Sequence, residues 1–315
     1  MSYLETERQK VIELGRELFN GNTGGVYRGK ERNFVLLNPV ENLYEDIRDK
    51  AIQYFKENKI VWWPGGQEPS GHMLSSQIAC VNHLFFLRND KEAALNVLKG
   101  IHPDFVEVCP DFEDGYIGFE VTSNGSYLNE VAPGKQQTRG ANCTSVDAMM
   151  SGKLRNSKKI QVLIEWKYTE SYPNSCKADG SSGATRQSRY NKLIQDPESP
   201  LKAHVPMENF YYEPIYQLMR QTLLAWQMVK HKKRELQADD WIHIDVIPEN
   251  NKQLRNKVYA PDLFADDLHQ SWTSLLKEPG KYKMITQQQL LHPIFLNKSY
   301  NKQVEYLDTR YWEKQ

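Results

Sequence analysis

Apolar residues recur along this chain first at helical and then at strand spacing. Residues 1–20 place Val11, Leu14, Leu18 and Phe19 on one side, and residues 42–57 do the same with Ile47, Ala51, Tyr54 and Phe55, the spacing of amphipathic helices. "KIVWWPGGQEPSGH" breaks the pattern with prolines and glycines and reads as loop. Helical period resumes in "MLSSQIACVNHLFFLRND", where Ser75 or Ser76 is placed to cap it, and residues 91–100 give a further short helix. From about residue 104, alternation and β-branched or aromatic residues predict strands in "FVEVCPDF", "YIGFEVTS", "SVDAMMSGK" and "IQVLIEWKY". A Gly/Ser-rich loop, "NSCKADGSSGAT", leads to two helices, "RQSRYNKLIQ" and "YQLMRQTLLAWQMVKHKKREL", and then to a strand, "WIHIDVIPE". The tail, 262–315, offers short helical pieces, "HQSWTSLL" and "ITQQQLLHP".

Hairpin-joined strands followed by helices and a returning strand predict an α/β or α+β layer with a central mixed sheet, not a doubly wound dinucleotide fold. Neither GxGxxG nor GxxxxGK[ST] occurs, so a Gly-rich nucleotide cradle has no support. One domain over 1–315 is expected, with its core at about 72–247, an N-terminal helical elaboration over 1–71 and an extension over 248–315.

Composition narrows the function. Forty basic and forty acidic residues cancel, so no long-range field recruits a polyanion and any nucleic-acid site must be local. The four cysteines, Cys80, Cys109, Cys143 and Cys176, form no CxxC pair and read as reduced thiols. There is no signal-type apolar core at the N-terminus and no run of eighteen apolar residues. A cytoplasmic protein with no membrane span is expected.

Candidate chemistry centres on "LIEWKY". In a strand, residues i and i+2 share a face, so Glu165 and Lys167 project together with Gln161 and Leu163, while Val162, Ile164, Trp166 and Tyr168 face the other way. An exposed charge pair is the bland reading. Against it stands the apolar run, which implies a strand buried on both faces, where unpaired charge is expensive. Asp147, in "TSVDAMM", lies on the preceding strand, and a hairpin would set it across from Glu165. Two converging carboxylates raise each other's pKa unless a cation neutralises both. Mg²⁺ suits such oxygen ligands and leaves room for a phosphate oxygen, with Mn²⁺ able to substitute. A lysine beside it, its pKa lowered by burial near the cation, would orient or help deprotonate a water, or stabilise charge on phosphorus.

These residues resemble the PD-(D/E)XK nuclease superfamily, whose members share an αβββαβ core. "SVD" stands for its first motif and "EWK" for its second. The blocks "HMLSSQIACVNHLF", "TRGANCTSVDAMM", "LIEWKYTESY" and "YQLMRQTLLA" look like a bacterial, restriction-endonuclease-like branch. The resemblance implies metal-ligand roles for Asp147 and Glu165 and a catalytic role for Lys167. Where the superfamily often carries a glutamate in its first core helix, Gln77 stands here, as an orienting amide or as an ordinary helix residue. Glu120, in "GFEVTS", is a candidate third metal ligand or a solvated strand residue.

For DNA, with RNA left open, Arg139, Arg186 and Arg189 are expected to face a groove, and Lys153 with Arg155, Lys158 and Lys159 to form a basic turn beside the site. Gln217 and Gln221, at i and i+4, line the cleft or make a polar stripe. "VWWP" reads as an aromatic packing knot rather than a base-stacking platform, and Cys80 with His83 as core. The expected activity is Mg²⁺-dependent phosphodiester hydrolysis, assisted by a homodimer contact or an accessory subunit. The alternatives are a catalytically silent nucleic-acid-binding or assembly protein on the same fold, and a hydrolase of smaller phosphate esters.

Overall fold

The computed structural model describes residues 1–312 apart from Asp114, Pro133, 139–141, Ala203, Phe264, Asp266 and Leu296. It opens with α1 (Tyr3–Glu17), a small hairpin of β1 (Val26–Tyr27) and β2 (Lys30–Glu31), α2 (Glu45–Glu57), α3 (Ser76–Leu84) and α4 (Lys91–Ile101). Strands β3 (Phe105–Val108), β4 (Ile117–Val121), β5 (Val146–Leu154) and β6 (Lys159–Trp166) follow, then α5 (Gly183–Ile194), α6 (Ile215–Lys230) and β7 (Asp240–Val246). The chain continues through α7 (Lys252–Asn256), α8 (Leu268–Ser274), β8 (Tyr282–Ile285), α9 (Gln287–Phe295) and α10 (Asn301–Arg310).

The sheet runs β3-β5-β6-β7-β8, with β4 also lying along β5. Pairing is antiparallel up to β5–β6 and parallel for β6–β7 and β7–β8, which is the mixed sheet the pattern predicts. Several elements depart from expectation: the β1–β2 hairpin, α7 and α10 are not predicted by the pattern, and two further details differ. Tyr282–Ile285 adds a strand within the tail, in a segment of 4 residues too short for a period of two to show. The helix read through "KHKKREL" stops at Lys230, and Lys232–Arg234 form a separate 3-10 turn.

Alternation along β6 divides the core. Val162, Ile164 and Trp166 pack with residues of α2, α3 and α4 in one apolar cluster, while Leu163 joins residues of α5, α6 and α8 in the other. On that second face Gln161 donates from Nε2 to the Ala225 carbonyl of α6, 3.0 Å away, while its Oε1 is buried without a partner. Helix α3 is buried from Ile78 through Leu84, and Ser75 caps it by accepting from the Ile78 amide; such a cap is worth about 1 kcal/mol. His83 is core as expected. Its Nδ1 lies 2.7 Å from the Ala79 carbonyl, Trp312 Nε1 donates to its Nε2, and burial pushes its pKa down to about 3.

The layer over α3 is closed from both halves of the chain. The buried Arg310 guanidinium donates to the Asn42 carbonyl at 2.8 Å and to its Oδ1. Asn82 Nδ2 donates to Tyr311 Oη at 2.8 Å, and Gln303 donates to the Asn82 carbonyl.

Candidate functional site

The β5–β6 ladder pairs Ala148 with Ile164 and Met149 with Leu163, so one further step sets Asp147 beside Glu165. Here the hairpin is open, and the Trp166 amide donates to Asp147 Oδ2 at 2.7 Å. Lys167 follows the last residue of β6, its own amide bound to the Val246 carbonyl of β7 at 2.9 Å, which keeps its side chain on the Glu165 face. Lys167 Nζ reaches Glu165 Oε1 at 2.5 Å.

Helix α6 supplies the lid of this cluster. Gln217 Nε2 donates to Glu165 Oε1 at 2.6 Å, while Gln217 Oε1 accepts from Lys167 Nζ at 2.7 Å and from Tyr172 Oη at 3.1 Å. One turn on, Gln221 Nε2 donates to Glu165 Oε2. The i, i+4 spacing places both amides on one helix face, and that face sits on the carboxylate. Gln221 Oε1 is buried and has no hydrogen-bond partner.

The electrostatics follow from burial. Glu165 and Lys167 are 4% and 6% exposed. Burial, then the charges of Glu165 and Glu120, hold the Asp147 carboxyl well above the usual carboxylate range. Burial alone would discharge Lys167, but Glu165 foremost, with Tyr172, Glu170 and Asp147, overrides it and raises its pKa well above normal. In this state Lys167 is therefore a cation paired with Glu165.

Two polar residues of β7 escaped the sequence reading. Parallel pairing sets Asp245 beside Glu165 and His243 beside Leu163. Burial pushes Asp245 up to about 7, and its Oδ1 is buried without a partner, while Tyr282 donates to Oδ2 at 3.1 Å. His243 stands 3.9 Å away and is pushed down to about 3 by burial. The signal was present: "IHIDV" shows polar residues at i and i+2 of an apolar strand, the same anomaly that exposed Glu165 and Lys167.

The remaining predicted residues fall in several places. Gln77, on α3, donates from Nε2 to Glu120 Oε1 at 2.7 Å and accepts from the Trp63 amide at 2.8 Å. Glu120 sits in β4 with φ of 49°, and its Oε2 accepts from Ser145. Among the described residues no group of three or more His, Cys, Asp or Glu could hold a metal ion; the oxygens nearest together are those of the paired Asp147 and Glu165, with Gln221 Oε1 and Asp245 Oδ1 buried and without hydrogen-bond partners and Glu120 close enough to raise the Asp147 pKa.

Lys153 pairs with Lys159 across the hairpin at its turn end and bridges Glu107 at 3.0 Å. Six strand steps separate Lys159 from Glu165, about 20 Å, so the basic turn is not beside the site as expected; a hairpin's turn lies opposite its open end. On α5, Arg186 donates to the Lys177 carbonyl and the Arg189 carbonyl accepts from Asn129. Arg139 lies outside the described residues.

Comparison with known proteins gives a family. The model of the family described as restriction endonuclease associating with ARP matches residues 3–312, and the chain belongs to that restriction-endonuclease-like family. No curated protein and no solved structure matches it.

Proposed function

We propose that this chain is a metal-dependent nuclease that hydrolyses phosphodiesters of DNA at the open end of the β5–β6 hairpin. The observation carrying the reading is that Asp147, Glu165 and Lys167 converge there from β5 and the end of β6, with Asp147 left uncompensated by any ion pair among the described residues. Two carboxylates plus waters and a substrate phosphate are the usual complement of Mg²⁺, which seldom takes an all-protein cage. The donor set therefore fits Mg²⁺ or Mn²⁺, held by Asp147 and Glu165 with Gln221 Oε1 as a third oxygen on offer. Bound there, the cation would polarise a phosphate oxygen and lower the pKa of a water.

The side chains have distinct parts. Lys167, held protonated, stabilises negative charge as it develops on the phosphate oxygens. Gln217 fixes both Lys167 and Glu165 through one amide, its oxygen taking the ammonium and its nitrogen the carboxylate. Gln77 and Glu120 position Ser145 and the strand entering Asp147. The family's description names an association with ARP, which supports a protein partner for this chain.

The closed network around Glu165, with three donors on its two oxygens, favours a second reading in which the fold binds nucleic acid without turnover. One experiment decides. Plasmid and single-stranded DNA are incubated in Mg²⁺ and in Mn²⁺ with wild type, Glu165→Gln and Lys167→Ala. Cutting by wild type and not by the variants supports the nuclease; no metal-dependent cutting by wild type above the variants removes it.

A further inference from the structure

The two tryptophans of "VWWP" point opposite ways. Trp62 is 1% exposed and stacks on Phe55 at 3.7 Å, the packing knot the sequence suggests. Trp63 is 43% exposed. Around it stand Tyr27, whose ring centroid is 5.8 Å away, and His72, at 5.6 Å from Trp63 and 4.7 Å from Tyr27. Phe34 continues the cluster behind His72 at 5.2 Å.

Cations rim these rings. The Arg28 guanidinium lies 5.2 Å over Tyr27, and Arg8 lies 5.2 Å over Phe34 with its Nε buried and unpartnered. The exposed β1–β2 hairpin adds Lys30 and Arg32 in "YRGKER". Burial, then the Arg8 and Arg28 charges, push His72 down to about 4, so at neutral pH it presents an uncharged ring.

The cluster is fixed and it is wired to the acids. Leu36 and Met73 pair with the Gly71 and Phe34 carbonyls, and a Cβ on Gly71 would come within 2.7 Å of the Leu36 carbonyl oxygen. The close approach requires glycine and locks the hairpin strap onto the 62–73 loop. From Trp63 a chain of hydrogen bonds runs through Gln77 to Glu120 and Ser145, two residues from Asp147.

We infer that Trp63 and Tyr27, rimmed by Arg28, Lys30 and Arg32, form a stacking platform for unpaired bases of a single-stranded nucleic acid entering the Asp147–Glu165 centre. Exposed aromatic faces take any base, and surrounding cations track the phosphates. A duplex offers no free base face, so the platform selects strands that are already open, such as ends, flaps or melted segments. This rests on the nuclease reading for its meaning and not for its measurement.

The test is binding in EDTA, read by anisotropy of labelled oligo-dT, labelled oligo-rU and a blunt duplex with full-length protein. Wild type is expected to prefer the single strands. Trp63→Ala should weaken that binding by about tenfold, Trp63→Tyr should restore most of it, and Arg28→Ala with Arg32→Ala should lower the salt slope by about 0.7 for each phosphate no longer neutralised. The dT and rU arms separate DNA from RNA as the strand recognised. Absence of single-strand binding by wild type, or equal binding by wild type, Trp63→Ala and the double arginine variant, overturns the platform. Cutting without a Trp63 effect removes the platform alone; a Trp63 effect without cutting removes the nuclease alone.

Discussion

The two ends of the β5–β6 hairpin carry the same kinds of charge in opposite settings. At the turn, Lys153 and Glu107 meet at 3.0 Å with both side chains 44% exposed. At the open end, Lys167 and Glu165 meet at 2.5 Å with side chains 7% and 5% exposed. Water screens the first pair, and such surface bridges contribute about 0–1 kcal/mol. The second pair has exchanged water for two glutamine amides, one of them held by Tyr172, so removing either partner leaves a buried charge uncompensated. The same residue types are decoration at one end and a committed arrangement at the other.

The largest effect is expected where that commitment is broken. Lys167→Ala should lower unfolding stability by about 3–5 kcal/mol, measured by urea titration, and abolish metal-dependent cutting. A loss below that of a surface pair would mean that Glu165 reaches water.

An acid limb comes next, from beneath the open end, where His83 packs on Trp166 at 4.6 Å. Its folded pKa is about 3 against an ordinary 6.5, so between those values the unfolded chain binds the proton and the folded one does not. Stability therefore falls as pH drops from 6.5 towards 3, by about 2 kcal/mol from this residue at pH 5. His83→Gln should flatten its share of that limb in thermal melts, and an unchanged limb would place the proton uptake elsewhere.

Asp147→Asn should act in the opposite sense on stability and activity. It keeps the acceptor for the Trp166 amide and removes the repulsion with Glu165, so stability in EDTA is expected to rise by about 1 kcal/mol, a melting shift of about 1.5 °C for a chain of this length, while cutting is lost. Adding Mg²⁺ should raise the melting temperature of wild type and leave this variant unmoved. The smallest effect belongs to the turn: Lys153→Ala should change stability by less than about 0.5 kcal/mol, and a larger change would erase the contrast between the two ends.

Much of this architecture was legible because burial writes itself into spacing. The α2 face named from periodicity, Ile47, Ala51, Tyr54 and Phe55, is the buried set, and Ser75 caps α3 as its position suggests. The hairpin that brings Asp147 to Glu165 followed from two strands and a turn. What stayed hidden depends on partners that no spacing reveals. Gln217 and Gln221 read equally well as a polar stripe until α6 lies on Glu165. Asp245 joins the site through a parallel pairing across more than seventy residues, and β8 is too short to show a period. The basic turn was placed beside the acids by sequence proximity alone, which a strand's length defeats.

The bonds closing the layer over α3 gain another meaning when measured along the chain. Arg310 finds Asn42 across 268 residues, Tyr311 finds Asn82 across 229, and Trp312 accepts from Lys10 across 302. Contacts of such separation close very long loops, and the entropy of that closure grows only slowly with length. The helix that backs the acids is thus covered by residues drawn from both ends of the sequence, so a change near either end bears on the layer behind Asp147 and Glu165.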